Sequence, residues 1–328
     1  MANAPDLIPD DLQASAPEVE LSLTRAGVTG VSKAIRVRHE GRETVMAAEI
    51  ECTVDLDRAQ KGVHMSRFPE LFEGAIDLLV DGEALLVEVL AEQIASRVVE
   101  RQHALRAEVW IRAQWPVRRR TPVTGLKTQE MVTLCGIAAA SESGTRRVVG
   151  VEAHGINACP CAQGLVRSRA NERLLEAGFD SSDVEKILEL VPIATHNQRG
   201  RGTLYVGTEH DLDAETLIGV VERSMSAPIY DLLKRPDELF VVEHAHLQPR
   251  FVEDSVRHAL RDALEALPQL DDHDFLLSKQ VNFETIHIHD VVAERFGTVG
   301  EIRGELQSGE PSARQTTLAD WLASESVL

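Results

Sequence analysis

The order of the predicted secondary-structure elements is the feature that most constrains how this chain can fold. Runs rich in β-branched residues predict strands, and apolar residues at helical spacing predict helices. The predicted elements are two strands within 31–55, helices near 67–79 and 83–102, strands at 104–117, 131–140 and 147–156, a helical insertion at 166–190, a strand at 199–207, helices at 214–224 and 228–233, an extended piece at 240–246, a helix at 251–267, and strands at 275–283 and 285–292. The order of two strands, two helices and two strands occurs in both halves, which predicts two tandem α+β modules.

This order divides the chain into four parts. Prolines and acidic residues make residues 1–20 polar and poorly suited to a hydrophobic core. The predicted parts are a mobile arm at 1–20, an N-terminal module at 21–143, a C-terminal module at 144–300 with the helical insertion at 166–190, and a tail at 301–328 with a short helix near 318–322.

The chain is strongly acidic, with 53 Asp and Glu residues against 34 Lys and Arg residues and a net charge of −19. This balance argues against nucleic acid and anionic membranes as partners, and it is typical of salt-adapted (halophilic) surfaces. A run of about 18 apolar residues and a secretory signal are both lacking, so we expect no membrane span. Four cysteines do not make a disulfide framework, and we expect a reducing, cytoplasmic location.

The tripeptide Cys159-Pro160-Cys161 holds two of the four cysteines. Its spacing is shorter than that of a zinc knuckle. In an extended chain both side chains would leave on the same side, and Pro160 would stiffen the backbone. The tripeptide therefore predicts either a soft metal ligand beside a reactive thiol or two small buried residues.

A thiolate, an imidazole and a carboxylate could form a metal site with one open position, which is the catalytic pattern. Cys159, His196 and Glu238 could supply these three groups. The alternatives are an ordinary loop histidine and a solvated turn acid. His244-Ala245-His246 is a rival site that lacks a soft ligand.

Other polar residues suggest substrate contacts. Glu253 lies at the edge of the apolar face of the 251–267 helix, where it could accept two hydrogen bonds from a guanine edge or simply favour the helix dipole. Glu284 and His287 could converge only on a turn, and the alternative is a half-buried strand. His64 and Arg67 flank a predicted helix N-terminus, which suits a phosphate or a solvated Arg.

These motifs, taken in order over about residues 30–295, resemble those of the prokaryotic type IB GTP cyclohydrolases, in particular their archaeal MptA branch. The resembling motifs are Gly62-Val63-His64-Met65-Ser66-Arg67-Phe68, Cys159-Pro160-Cys161, His196-Asn197-Gln198-Arg199, Leu232-Leu233-Lys234-Arg235-Pro236-Asp237-Glu238, Phe251-Val252-Glu253-Asp254 and Asn282-Phe283-Glu284-Thr285-Ile286-His287. The chain departs from the shorter bacterial pattern in its 166–190 insertion and in having Ala162-Gln163 where Ser-Lys is more usual.

The resemblance implies an α+β fold of tandem tunnelling-fold (ββααββ) modules that form an oligomeric barrel, as a homodimer or homotetramer with active sites at subunit interfaces. It implies that GTP is opened at C8, that formate is lost and that a 7,8-dihydroneopterin phosphate forms, the 2′,3′-cyclic phosphate in the archaeal branch. The product would feed pterin, folate-type and deazaguanine biosynthesis. The implied metal is Fe(II), with Mn(II) or Zn(II) as alternatives.

The resemblance also implies roles for single residues. Cys159, His196 and Glu238 match the metal ligands, and Cys161 matches a thiol that lies against the base. The remaining matches are the acid/base pair Glu284 and His287, the guanine anchor Glu253, and the substrate contacts His64, Arg67, Arg199, Lys234 and Arg235. The alternatives are another tunnelling-fold purine or pterin enzyme, such as a reductase with Cys161 as nucleophile, and a non-catalytic metal-binding scaffold.

Overall fold

The computed structural model describes residues 12–39, 42–78 and 86–324. Its elements are β1 (Leu23–His39), β2 (Arg42–Leu56), α1 (Arg67–Leu78), α2 (Val87–Gln102), β3 (Arg106–Arg120), β4 (Lys127–Ser141), β5 (Gly144–Ala158), α3 (Pro160–Glu176), α4 (Ser181–Leu190), β6 (Asn197–Gly207), α5 (Ala214–Ser224), β7 (Ala227–Pro228), α6 (Arg235–Leu247), α7 (Val252–Ala266), β8 (Phe275–Asn282), β9 (Val291–Thr298), α8 (Val299–Ser308) and α9 (Leu318–Ala323). Within this described part, no helix has the length and apolar character needed to cross a membrane.

The chain forms two compact units that share the long strands β3, β4 and β5. The first unit contains β1, β2, α1, α2 and the parts of the shared strands within 106–113 and 135–149, with strand order β1-β2-β3-β4-β5. β1 and β2 form an antiparallel hairpin in which Ile35 faces Met46, and both side chains are buried. Alternate residues of β2 enter the core, as expected for a sheet with one covered face. The sequence predicts a turn near Glu40-Gly41-Arg42; Glu40 and Gly41 lie outside the described residues, and β2 begins at Arg42.

The second unit holds residues 114–134 and 150–321. Its strand order is β3-β4-β5-β6-β8-β9, and β7 pairs with β5. Helix α7 contacts α5, β8 and β9, because its apolar stripe faces inward. The buried residues of this stripe are Val252, Val256, Ala259, Leu260 and Ala263. The units are discontinuous in sequence, whereas the predicted modules are contiguous.

The prediction of a helix at 228–233 followed by an extended piece at 240–246 was wrong. The structure has a loop and then the single helix α6, which begins at Arg235. Pro236 lies in the first turn, where its missing N–H costs no hydrogen bond. Asp237 accepts from the backbone N–H of Lys234, and this cap overrides the strand preference of the later valines.

Three further boundaries differ from prediction. Residues 285–289 form bends, and β9 begins only at Val291. The predicted tail starts instead with α8, which Thr298 caps and which buries Ile302. In the predicted arm, residues 1–11 lie outside the described part, whereas the carbonyls of Gln13 and Ser15 accept backbone hydrogen bonds from the loop before α1.

Candidate functional site

Cys159 is the N-cap of α3 and lies at the point where β5 ends. Its backbone is extended (φ −77°, ψ 116°), Pro160 starts the helix, and the sulfur accepts from the Ala162 N–H at 3.5 Å. The expected extended Cys-Pro-Cys with two parallel thiols was therefore wrong, because Pro160 fits the first helical turn. The sulfur of Cys159 lies at the positive end of the helix, which is a favourable place for an anion.

His196 lies beside Cys159, although 36 residues separate them in sequence. The Cys159 N–H donates to the His196 carbonyl at 3.1 Å, and the Thr195 hydroxyl donates to the Cys159 carbonyl at 2.8 Å. Helices α3 and α4 are the predicted helical insertion, although α3 begins six residues earlier than expected. The insertion leaves the sheet at Cys159 and returns to the same place.

A cavity of about 470 Å³ opens next to these two residues within the second unit. It is lined by Cys159, His196, Gln198, Arg250, Phe251, Val252, Glu253, Asn282, Glu284, His287, His289, Val291 and Val292. Five of the predicted site residues are among them. They are the predicted metal ligands Cys159 and His196, the guanine anchor Glu253, and the acid/base pair Glu284 and His287. The structure therefore gathers side chains that lie as far as 128 positions apart in the sequence.

Gln198 connects two of the lining residues. Its Oε1 lies 3.1 Å from His196 Nδ1, and its Nε2 donates to Glu284 Oε1 at 3.1 Å. The second carboxylate oxygen, Glu284 Oε2, is buried without a hydrogen-bond partner and lies 3.7 Å from His196 Nδ1. A buried carboxylate oxygen without a partner is costly, and it is expected beside a bound cation or substrate.

A buried polar network supports this wall of the cavity. Asn157 Nδ2 donates to Ser255 Oγ at 3.1 Å and to Asn282 Oδ1 at 2.8 Å, and its Oδ1 accepts from the Ser226 N–H. Ser226 Oγ in turn accepts from the Ala158 N–H, directly before Cys159. Every member has a partner, so the network can fix the backbone of β5 and β8 at the site.

Four predicted residues lie elsewhere in the second unit. Cys161, Lys234, Arg235 and Glu238 are exposed, and none of them lines the cavity. The neighbouring Asp237, rather than Glu238, is buried, and it accepts hydrogen bonds from Thr124 and from the Val123 N–H. Burial alone would raise the pKa of the Asp237 carboxyl, but these hydrogen bonds hold it well below its usual range. The role of Glu238 as a metal ligand stays a prediction.

His64 and Arg67 belong to the first unit, at the N-terminal end of α1. Arg67 donates to the Arg101 carbonyl at 3.2 Å, and the His64 carbonyl accepts from Gln102 at 3.1 Å. Arg67 also lines a polar cavity of about 660 Å³ together with Arg101 and His103. Two arginines offer hydrogen-bond donors to an anion there, but Glu70 and Glu100 line the same cavity, so a phosphate contact of Arg67 stays a prediction.

Arg199 lies on the opposite side of β6 from Gln198, as the alternation of a strand requires. It stacks over the ring of Phe283 at 5.9 Å and lines a cavity of about 300 Å³ with Glu130, His154 and Glu222. Burial, assisted by Arg199, lowers the pKa of His154. Burial raises the pKa of the Glu222 carboxyl to about 7. This cavity is distinct from the one at Cys159.

The side chains at Cys159 suit a transition metal by their chemistry. Thiol, imidazole and carboxylate groups are all ligands of transition metals in proteins. Cys159 and His196 offer the first two, and the unpartnered Oε2 of Glu284 lies 3.7 Å from His196 Nδ1. The ligand atoms of Cys159, His196 and Glu238 are not gathered within 4.8 Å of one another; in the described ranges only His210, Asp271 and Asp274 are. The rival pair His244 and His246 lies on α6, where positions two apart do not share a face.

Sequence reasoning assigned no role to Gln198, Arg250, Asn282 or His289, all of which line the cavity. Arg250 donates from its side chain to the Arg223 carbonyl at 2.6 Å, and its own N–H donates to the Ala158 carbonyl at 3.0 Å. The rings of His287 and His289 stack at 5.2 Å on the bends before β9. Gln198 and Asn282 stand within two of the quoted motifs, and this position was the signal that could have found them.

A comparison with solved structures identifies the class of fold. The structure is similar to uricase from Arthrobacter globiformis, with a TM-score of 0.51 and 10% identity, over 84% of this chain and 93% of that chain. At this identity the similarity shows the fold alone, and it confirms the predicted tunnelling fold.

The family follows from the sequence comparisons. Residues 10–293 match the family model of type I GTP cyclohydrolase folE2. The GTP cyclohydrolases MptA of Methanococcus aeolicus and Methanocaldococcus jannaschii are each 40% identical, over 90% and 92% of this chain and 99% and 98% of their own lengths. The MptA protein of Methanosarcina acetivorans is 38% identical over 90% of this chain and 96% of its own. The chain therefore belongs to the folE2 family of type I GTP cyclohydrolases, as the motifs predicted.

Proposed function

We propose that this chain is a GTP cyclohydrolase that opens the guanine imidazole ring at C8, releases formate and yields a 7,8-dihydroneopterin phosphate. One observation carries the proposal. The cavity at Cys159 is lined by the thiol, the imidazole, the guanine anchor Glu253 and the acid/base pair to which the family resemblance gives roles in this reaction. The 40% identity to MptA proteins over nine-tenths of the chain supports the same substrate.

Glu253 suits the recognition of guanine. It lies in the first turn of α7, exposed toward the cavity that it lines. A carboxylate has two acceptor oxygens, and guanine N1–H and N2–H₂ are two adjacent donors on one edge. Such a paired contact would hold the base and orient the C8 side toward the rest of the cavity.

Glu284 suits proton transfer. Only 7% of its side chain is exposed, and Gln198 holds Oε1, so Oε2 is the atom available to take a proton from water or from the opening ring. His287 lies on the same wall and is exposed on the bends after Glu284. Two groups with different environments can divide the acid and base steps between them.

Cys159 and His196 would hold the metal, with Glu238 as the third ligand that the family resemblance assigns. When bound, such an ion supplies Lewis acidity that activates water near neutral pH. Fe(II) is the proposed ion, with Mn(II) and Zn(II) as alternatives. Cys161 is exposed and does not line this cavity, which gives no support to the reductase alternative, because that reaction needs a thiol at the substrate.

The finer features form part of the proposal. The product would be the 2′,3′-cyclic phosphate, because this chain resembles MptA proteins over almost their whole lengths. The chain would act in the cytoplasm as a homodimer or homotetramer. A net charge of −19 would keep such an assembly soluble at high salt, where local arginines can still bind phosphate.

Anaerobic reconstitution tests the proposal. The full chain is loaded in parallel with Fe(II), Mn(II) or Zn(II) and mixed with GTP, and formate and the mass of the pterin are measured. We expect one formate for each pterin formed, and the highest rate with Fe(II). Tight metal binding without a change in GTP absorbance would favour a scaffold, and nicotinamide-dependent consumption of a purine without formate would favour a reductase.

A further inference from the structure

Gln198 lies between the side chains of His196 and Glu284 and contacts both. It is 5% exposed, and its amide contacts His196 through Oε1 and Glu284 through Nε2, each at 3.1 Å. His196 immediately precedes β6 and Gln198 is its second residue. Because side chains two apart in an extended chain point the same way, the two can meet.

The strand register brings Glu284 to the same place. β6 and β8 pair antiparallel with Gly200 opposite Asn282, so two residues beyond this pair Gln198 stands opposite Glu284. The Phe283 N–H extends the ladder by donating to the Arg199 carbonyl at 3.0 Å. Directly opposite residues are close enough for their side chains to interact.

The chemistry of the three groups fixes the orientation of each. A carboxylate only accepts hydrogen bonds, so the Gln198 amide must point its NH₂ group at Glu284 and its oxygen at His196. The His196 Nδ1 must then carry the hydrogen, and Nε2 keeps its lone pair. A neutral imidazole with a free Nε2 is the form that ligates a metal.

We propose that Gln198 is a positioning residue that sets the tautomer of His196 and the rotamer of Glu284 at the same time. This proposal rests on the proposed function for the part that concerns Glu284. One amide would thus couple the ligand that holds the metal to the acid that moves protons. Because Gln198 holds Oε1, the carboxylate oxygen of Glu284 that has no hydrogen-bond partner is Oε2.

Two substitutions separate the two contacts. Gln198→Met keeps the size of the side chain and removes both hydrogen bonds. Gln198→Glu keeps an acceptor for His196 but cannot donate to Glu284. The matched control is Gln163→Met, because Gln163 Nε2 also donates two hydrogen bonds, at 2.9 and 2.6 Å, but only to the backbone carbonyls of Ile193 and His246.

The readouts are Co(II) affinity, followed by the visible absorption of the bound ion, the melting temperature, and kcat and KM for GTP. For Gln198→Met we expect Co(II) affinity to fall about 10- to 100-fold, as for other groups that orient a ligating histidine. For Gln198→Glu we expect affinity at or above that of the wild type, with kcat reduced and KM unchanged. The control should melt earlier but bind Co(II) as the wild type does.

Wild-type Co(II) affinity and kcat in a folded Gln198→Met variant would overturn the proposal. So would an equal loss of Co(II) affinity in Gln163→Met. The Co(II) titration does not need GTP turnover, so a wild-type protein that binds the ion but releases no formate would contradict the proposed function and leave the His196 contact tested on its own.

Discussion

The backbone N–H of Cys159 donates a 3.1 Å hydrogen bond to the carbonyl of His196. This contact closes the loop formed by α3 and α4 and joins the backbones of two residues that both line the cavity. The long insertion between the two residues therefore does not separate them. Helix α3, which begins at this contact, has no buried residue.

Replacing Cys159 by alanine should remove the metal. The variant loses the soft donor at the N-cap of α3, whereas Cys161→Ala loses an exposed thiol that does not line the cavity. We expect Cys159→Ala to retain less than about one-tenth of the metal bound by the wild type, in line with loss of a ligand, and Cys161→Ala to retain it. Elemental analysis after anaerobic Fe(II) loading checks this, and equal metal in both variants would contradict it.

Glu253→Gln should weaken GTP binding without changing metal content. A charged hydrogen-bond acceptor contributes about 1.5–3 kcal/mol, so we expect KM for GTP to rise about 10- to 100-fold. The control is Asp254→Asn in the same helical turn, because Asp254 accepts from the Phe251 N–H at 3.1 Å and serves the helix. That variant should melt earlier and bind GTP normally. Unchanged KM in Glu253→Gln would count against guanine anchoring.

The fold was largely predictable where local and tertiary preferences agree. Helix α7 was predicted almost to its ends because its apolar residues recur at helical spacing and face the sheet. Helix α6 was missed because Phe240, Val241 and Val242 favour strands locally. The buried carboxylate of Asp237 accepts a hydrogen bond from the Thr124 N–H, more than a hundred residues away, and this contact stabilises the start of the helix. A local sequence pattern cannot reveal such a contact.

The site was predictable only in part, for a related reason. Chemically distinctive residues such as Cys159, His196 and Glu284 were identified through motifs of the family. Gln198 was not, because its role depends on standing opposite Glu284 across two strands. Arg250 follows the same rule, since its backbone N–H meets β5 only in the folded chain.

Gly200→Ala should destabilise the polar network behind the cavity. A methyl group at this position would lie 2.3 Å from Gln280 Nε2 and 2.9 Å from Asn282 Oδ1, so both amides would have to move. We expect a loss of about 1–3 kcal/mol in the free energy of unfolding, typical of overpacking. In Gly164→Ala, the added methyl group on α3 would meet nothing within 4 Å, so this control should be neutral or stabilised in urea unfolding. Equal stability of the two variants would show that the network tolerates displacement.

Stability should fall as pH rises from about 4.3 to about 7, through the titration of Glu222. Burial raises the pKa of its carboxyl to about 7, although the neighbouring Arg119 opposes the shift. Between the unfolded pKa of about 4.3 and this value the folded state binds more protons, so ionisation destabilises it. Glu222→Gln should flatten the dependence of melting temperature on pH, whereas the exposed Glu215→Gln on the same helix should not. An unaltered slope in Glu222→Gln would refute the assignment.

The fate of the C8 atom of GTP tests the proposed ring opening. GTP labelled with carbon-14 at C8 is given to the Fe(II)-loaded wild type and to Cys159→Ala, and labelled formate is counted against pterin. We expect one labelled formate for each pterin from the wild type and a rate reduced to background in the variant. Pterin that keeps the label, or undiminished labelled formate from Cys159→Ala, would contradict it.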